Sequence, residues 1–180
     1  MGEQGGSAGE MGQLSVWDAI RSRRDVREFD GRPIAEEDLA QILEAGRRSP
    51  SSRNWQPWDF IVVTDRGQLT ELAKVWRAAG HVARSAATIA MIAPSGRLER
   101  ARFDLGQAAM SIMLAAAGLG IGSGHSSVSD QELARQLLGF PEDRTCAFLI
   151  PLGYPAGRPL VPIRVPDRRP FDEVVHRGRW

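Results

Sequence analysis

From Leu98 to Leu119 the chain holds a helical pattern for about six turns and keeps most of one side free of charge. Leu105, Ala108, Ala109, Ile112, Met113, Ala116 and Leu119 make a wide apolar face, and Phe103 and Met110 extend it. A helix this apolar lies at a domain centre or packs against a second subunit. Its second half is rich in small residues (AAAGLG), so another helix or a sheet can approach closely, and Gly118 and Gly120 supply its stop. No apolar run reaches the roughly 20 residues that cross a bilayer, so no membrane association is expected.

Shorter elements flank this helix. Residues 58–64 (WDFIVVT), 88–93 (TIAMIA) and 145–154 (TCAFLIPLGY) read as strands. The last is so continuously apolar that it belongs at the centre of a sheet, covered on both faces. Residues 14–22 with Ser15 as N-cap, a segment opened by Glu36, Glu37 and Asp38, then 68–79 and 130–138 read as helices, with 81–85 a linking turn. Residues 155–166 are proline-rich and extended, an arm able to reach over a partner subunit, and a short helix follows. The expected organisation is one domain over residues 14–180, after a flexible tail at 1–13 that lacks the basic and apolar regions of a secretory signal. A cytoplasmic location follows by default. A net charge of +1 provides no field for nucleic acid or an anionic membrane. The single cysteine, Cys146, excludes an internal disulfide and a cysteine-based zinc site, and within CAFLI it reads as a small buried residue.

Three stretches carry ligand-directed chemistry. In SPSSRNWQPWDF, residues 49–60, Pro50 and Pro57 stiffen a loop that offers Ser51, Ser52, Arg53, Asn54 and Gln56 beside two tryptophans. It is either a strand entry whose tryptophans plug the core or a pre-formed loop for a flat ligand with polar edges. In SRRDVREF, residues 22–29, Arg23, Arg24 and Arg27 crowd around Asp25. They form either a solvated face or a bidentate phosphate site. In GIGSGHSSVS, residues 120–129, alternate glycines follow a helix, the wrong order for a dinucleotide fingerprint. These glycines let the backbone lie against a planar ligand or cross another strand. His125 is there a structural residue or a group near a reactive ring. A last basic pair, Arg168–Arg169, precedes the final short helix.

SRRDVREF, then SPSSRNWQPWDFIVV, the long helix ending AAAGLGIGSG, the FLIPLGYP strand and the closing RRPFDEVV together resemble the nitroreductase family of FMN-dependent oxidoreductases, over about residues 16–175. The resemblance implies an α+β fold: a small mixed sheet flanked by helices, in an intertwined homodimer with FMN at the interface. It implies that Arg23, Arg24 and Arg27, with Asp25 among them, hold the flavin phosphate and pyrimidine edge. Pro50, Ser51, Ser52 and Asn54, and with them Gln56, reach FMN from the other subunit. His125, Ser126 and Ser127 lie beside the isoalloxazine, and Arg168 and Arg169 close on the phosphate.

The implied reaction is ping-pong: NADH or NADPH reduces the flavin, leaves, and a nitroaromatic, quinone or similar small-molecule acceptor takes its place. No side chain is required as acid or base, so no catalytic residue is named, and no metal is expected. Asp25 stands where many members carry serine and resembles the branch that fragments reduced FMN with oxygen to make dimethylbenzimidazole, whereas PSSRNWQPW is more typical of reductases. A flavin-binding protein without turnover is the other alternative. The short span between Ala79 and Phe103 leaves little room for a lid, which predicts an open site.

Overall fold

The computed structural model describes residues 15–180; the expected tail at 1–13 lies outside the described residues. Four strands form one sheet in the order β1 (Asp59–Val63), β2 (Ala87–Pro94), β4 (Arg144–Gly153), β3 (Gly122–Ser123), and every neighbouring pair is antiparallel. Helices α1 (Val16–Ser22), α2 (Glu36–Arg47), α3 (Arg66–Leu72), α4 (Leu98–Gly118), α5 (Gln131–Leu138) and α6 (Phe171–Val174) complete an α+β arrangement. Among the described residues, the expected mixed character of the sheet is confined to one isolated parallel bridge, Asp25 to Ser123.

Period-2 alternation places the core on both sides of the sheet. Ile89 and Met91 of β2 join Ile150 and Leu152 of β4 on the side covered by α4, where Leu105, Ile112 and Ile42 are fully buried. Ala90, Ile92 and Leu149 face the other way, against Leu69, Leu72, Val75 and Phe140. The long apolar helix therefore lies at the centre of the fold, one of the two roles its sequence allowed. Gly46 lets α2 pack close against α4, since a Cβ there would stand 2.7 Å from Ile112 Cγ1.

Ser15 caps α1 as the sequence predicts, accepting from the Asp18 N–H; Asp65 and Asp130 cap α3 and α5 in the same way, accepting from Gln68 and Leu133. The expected helix at 68–79 is shorter. It ends at Leu72, tightens into a 3₁₀ turn over Ala73–Val75, and gives way to an extended Trp76. The cause is a competing set of donors. The Val75 carbonyl, needed by a continuing helix, accepts from the Ser129 and Asp130 N–H groups at 3.0 Å each. No helix among the described residues is long and apolar enough to cross a membrane.

Candidate functional site

The segment 22–29 lies against the edge of the sheet, and glycines make the fit. The Val26 N–H donates to the Ser123 carbonyl at 2.9 Å. A Cβ at Gly122 would come within 2.7 Å of Val26 Cγ2, one at Gly124 within 2.8 Å of the Val26 carbonyl oxygen, and one at Gly153 within 2.7 Å of Phe29 Cδ1. Crossing another segment of chain is thus what these glycines do here. On its far side the segment is tied to the start of the arm, by Asp30 N–H to Tyr154 O at 2.9 Å and Ala156 N–H to Glu28 O at 3.1 Å.

This placement opens a cleft of about 370 Å³ lined by Arg24, Asp25, Arg27, Glu28 and Arg158. Arg24 donates to the Arg158 carbonyl. Burial, and then the positive charge of Arg158, lower the Arg24 pKa from its usual value. Among the described residues Arg24, Arg27 and Arg158 take part in no ion pair. Three guanidinium groups without carboxylate partners around one cleft suit a phosphate.

Arg23 points elsewhere. It donates to Asp25 Oδ1 at 2.6 Å and approaches Met113 Sδ at 3.0 Å. Arg23 and Asp25 line a second hollow of about 390 Å³ with Arg102, Met113, His125 and Phe148. Asp25 is shared by both spaces. The His125 ring lies 4.9 Å from that of Phe148 and keeps an exposed edge. Packing there lowers its pKa first by desolvation; Asp25 pulls it up and Arg23 pushes it down. Ser126 is fully buried, with its backbone exchanging hydrogen bonds with Leu149 at 2.9 and 2.8 Å, so it braces the strand between His125 and the exposed Ser127. Arg168 joins Arg21, Arg23 and Arg164 around a third hollow of about 490 Å³. Arg169 turns away, its Nε 3.4 Å from Glu173 Oε2.

The proline-flanked loop fills the first of the two roles its sequence allowed, with its tryptophans packed on the core. Trp58 is buried and Trp55 packs half-buried against the core with Arg100 over its ring, while Pro50, Ser52, Arg53, Asn54 and Gln56 stay exposed. Arg53, Asn54 and Gln56 adopt positive φ of 53°, 56° and 52°, the left-handed region that favours glycine. Such residues cost about 1–3 kcal/mol each and collect at ligand clamps. Two clamps hold them: the Gln56 N–H donates to Ser51 Oγ at 2.8 Å, and the Ser52 N–H to the buried Asp104 carboxylate. Within one protomer this loop lines none of the three spaces described above.

Sequence reasoning missed Asp104, Arg158 and His81. Asp104 was legible as the one acid on the apolar side of α4. Arg158 reaches Arg24 only because the arm folds back at the Phe29–Pro155 bridge, which leaves no local signal. No group of three or more potential metal ligands exists among the described residues.

The residues fit an anionic, flat, polar-edged cofactor. Besides the unpaired arginines, Ser22 Oγ, Arg23 Nε and His81 Nε2 are buried without hydrogen-bond partners, all in or against segment 22–27. A model of the nitroreductase family matches residues 20–87 and 68–154. A protein of Archaeoglobus fulgidus, provisionally named an NADH dehydrogenase/NAD(P)H nitroreductase, is 32% identical over 170 residues, spanning 89% of this chain and 96% of its own. A solved structure from Parabacteroides distasonis with the same provisional name is 27% identical, with a TM-score of 0.78 over 90% of this chain and 96% of that one. The NADPH:FMN oxidoreductase of Vibrio harveyi, solved with NAD+, is 25% identical, with a TM-score of 0.77 over 90% of this chain and 76% of its own. With its sequence matched by the family over most of its length and its fold shared by these structures, this chain belongs to the nitroreductase family.

Proposed function

We propose that the protein is an FMN-dependent oxidoreductase that passes reducing equivalents from NADH or NADPH to a nitroaromatic, quinone or similar conjugated acceptor, as a cytoplasmic homodimer. The observation that carries this reading is the cleft in which Arg24, Arg27 and Arg158 stand without carboxylate partners, on a segment that begins with the orphaned buried atoms Ser22 Oγ and Arg23 Nε. Arg24 and Arg158 bind the phosphate, and Arg27 meets the polar edge of the ring. Arg168, which shares a hollow with Arg23, closes on the same anion, with Arg169 following it. FMN supplies two-electron hydride acceptance and donation when bound.

The protein's own work is positional. Gly122 and Gly124 let segment 22–27 sit against the sheet edge, so the arginines converge. His125 and Ser127 flank the ring, Asp25 fixes Arg23, and the open hollow beside His125 admits nicotinamide and acceptor in turn. The strained loop is the part a single protomer leaves unused. In the dimer it brings Pro50, Ser51, Ser52, Asn54 and Gln56 to the partner's flavin, with the exposed Ser52 hydroxyl and the Asn54 and Gln56 side-chain amides as its polar groups. The exposed arm, with Val165 88%, Phe171 65% and Trp180 99% accessible, is the natural partner-covering surface.

The test is an absorbance spectrum of the purified protein reconstituted with FMN, before and after anaerobic NADH or NADPH. Bleaching of the bound flavin, restored by a quinone or nitroaromatic, is expected. A protein that binds FMN but is reduced by neither donor is a flavin carrier, and one that takes up no FMN overturns the reading.

A further inference from the structure

Among the described residues four buried polar side-chain atoms lack a hydrogen-bond partner: Ser22 Oγ, Arg23 Nε, His81 Nε2 and Arg135 Nε. Arg135 stacks on Phe140 at 5.0 Å, and Ser22 and Arg23 open the arginine segment. His81 belongs to none of these. Its side chain is buried, with 7% of the residue accessible, in the turn before β2. Gly124 passes beside the ring: a Cβ there would lie 3.6 Å from Nε2, in ordinary contact, and 2.8 Å from the Val26 carbonyl oxygen. The charged groups that face the ring are Asp25 and Arg27, and both line the 370 Å³ cleft.

The tautomer can be assigned. The Ala78 backbone acts on the ring as a hydrogen-bond acceptor, raising its pKa, and Nε2 has no partner, which places the proton on Nδ1. A neutral imidazole has one donor and one acceptor nitrogen, which leaves Nε2 a bare lone pair. Burial, with Arg27 adding to it, favours this neutral form. A buried acceptor with nothing to accept is costly, and a ligand N–H relieves that cost.

We infer that His81 Nε2 accepts a hydrogen bond from the ring N–H of the bound flavin, beside the guanidinium of Arg27. The inference rests on the FMN reading and extends it to a residue and an atom. An oxidised isoalloxazine has a single N–H, at N3, set between two carbonyls. An acceptor from His81 next to a donor from Arg27 is the complement of such an imide edge. His81 is accordingly a binding residue that orients the ring within the cleft.

The experiment compares FMN with its N3-methyl analogue, which has no ring N–H, by quenching of flavin fluorescence on the full chain. Wild type is expected to bind the analogue about tenfold more weakly, the worth of one buried hydrogen bond. His81→Ala should bind FMN about tenfold more weakly and discriminate little between the two flavins, and His81→Gln, which restores an acceptor, should recover part of both. Imidazole nitrogen NMR of wild type gives a readout that needs no variant. With three histidines in the chain, the His81 Nε2 resonance should move on FMN addition. FMN binding that leaves this resonance unmoved, or His81→Ala retaining full discrimination, overturns the inference while the flavin reading stands. Failure of wild type to bind FMN overturns both.

Discussion

The Ser52 backbone N–H donates to both carboxylate oxygens of Asp104, at 3.2 Å each, across 52 residues of chain. Asp104 is 2% accessible, so helix α4 carries a carboxylate at its buried side to hold the exposed loop in shape. Asp104→Ala should lower stability by about 1–3 kcal/mol, since the Ser52 N–H loses its acceptor. It should also release the loop, read as faster tryptic cleavage after the exposed Arg53. Asp104→Asn, which keeps an oxygen acceptor, should protect the loop better. Equal cleavage of both variants and wild type would remove the clamp from the account.

Gly122 is the tightest contact beneath the arginine segment. Gly122→Ala forces a methyl to within 2.7 Å of Val26 Cγ2, and overpacking of this kind costs about 1–3 kcal/mol. The strand edge and segment 22–27 must part, so FMN affinity should fall with stability. Gly106→Ala, at a position with nothing within 4 Å, is the control expected to leave stability intact or raised by helix propensity. Thermal melts and flavin titration of the two variants check this.

Arg53, at φ 53°, carries a side chain where glycine is at ease. Arg53→Gly should therefore gain roughly 1 kcal/mol of folding stability, whereas Arg53→Val should lose at least as much because a β-branched residue tolerates this backbone least. Denaturant midpoints measure the difference.

Acid should weaken the fold through its histidines. Burial is the first cause lowering both His81 and His125 from 6.5. The unfolded chain then binds protons that the folded one resists. Stability is complete above the unfolded value and falls as pH drops through 6.5 toward the lowered folded values. Melting temperature measured from pH 7.5 downward should decline from that point, and His81→Gln should flatten part of the slope.

Cys146 is fully buried, and desolvation pushes its thiol up to about 12. In the native protein it should resist a maleimide that labels it at once in denaturant. Labelling at equal rates in both conditions would contradict its placement beneath α5.

Much of the fold was legible because its signals are local. Ser15 and the acidic run of Glu36, Glu37 and Asp38 announce their helices, and the unbroken run at 145–154 announces a covered strand. What defeated sequence reasoning was long-range capture of backbone groups. Nothing in residues 68–79 says that the Val75 carbonyl will be taken by Ser129 and Asp130. The site divides the same way. Arg24 and Arg27 were legible as an unusually dense basic cluster, and the structure gathers them with Arg158 in one cleft. Asp25 stood out as a departure, and its pairing with Arg23 gives the departure a structural use. His81 had no signal, because an unsatisfied nitrogen exists only once the surrounding chain has closed over it.

A peptide copying residues 49–60 would carry every letter of the proline-flanked loop and little of its form. Its own Ser51 would still bond Gln56, but the second clamp on its three unfavourable torsions comes from outside, from a helix that lies remote along the chain. Grafting the string onto another scaffold should yield a floppy segment unless the acid of α4 is transplanted with it.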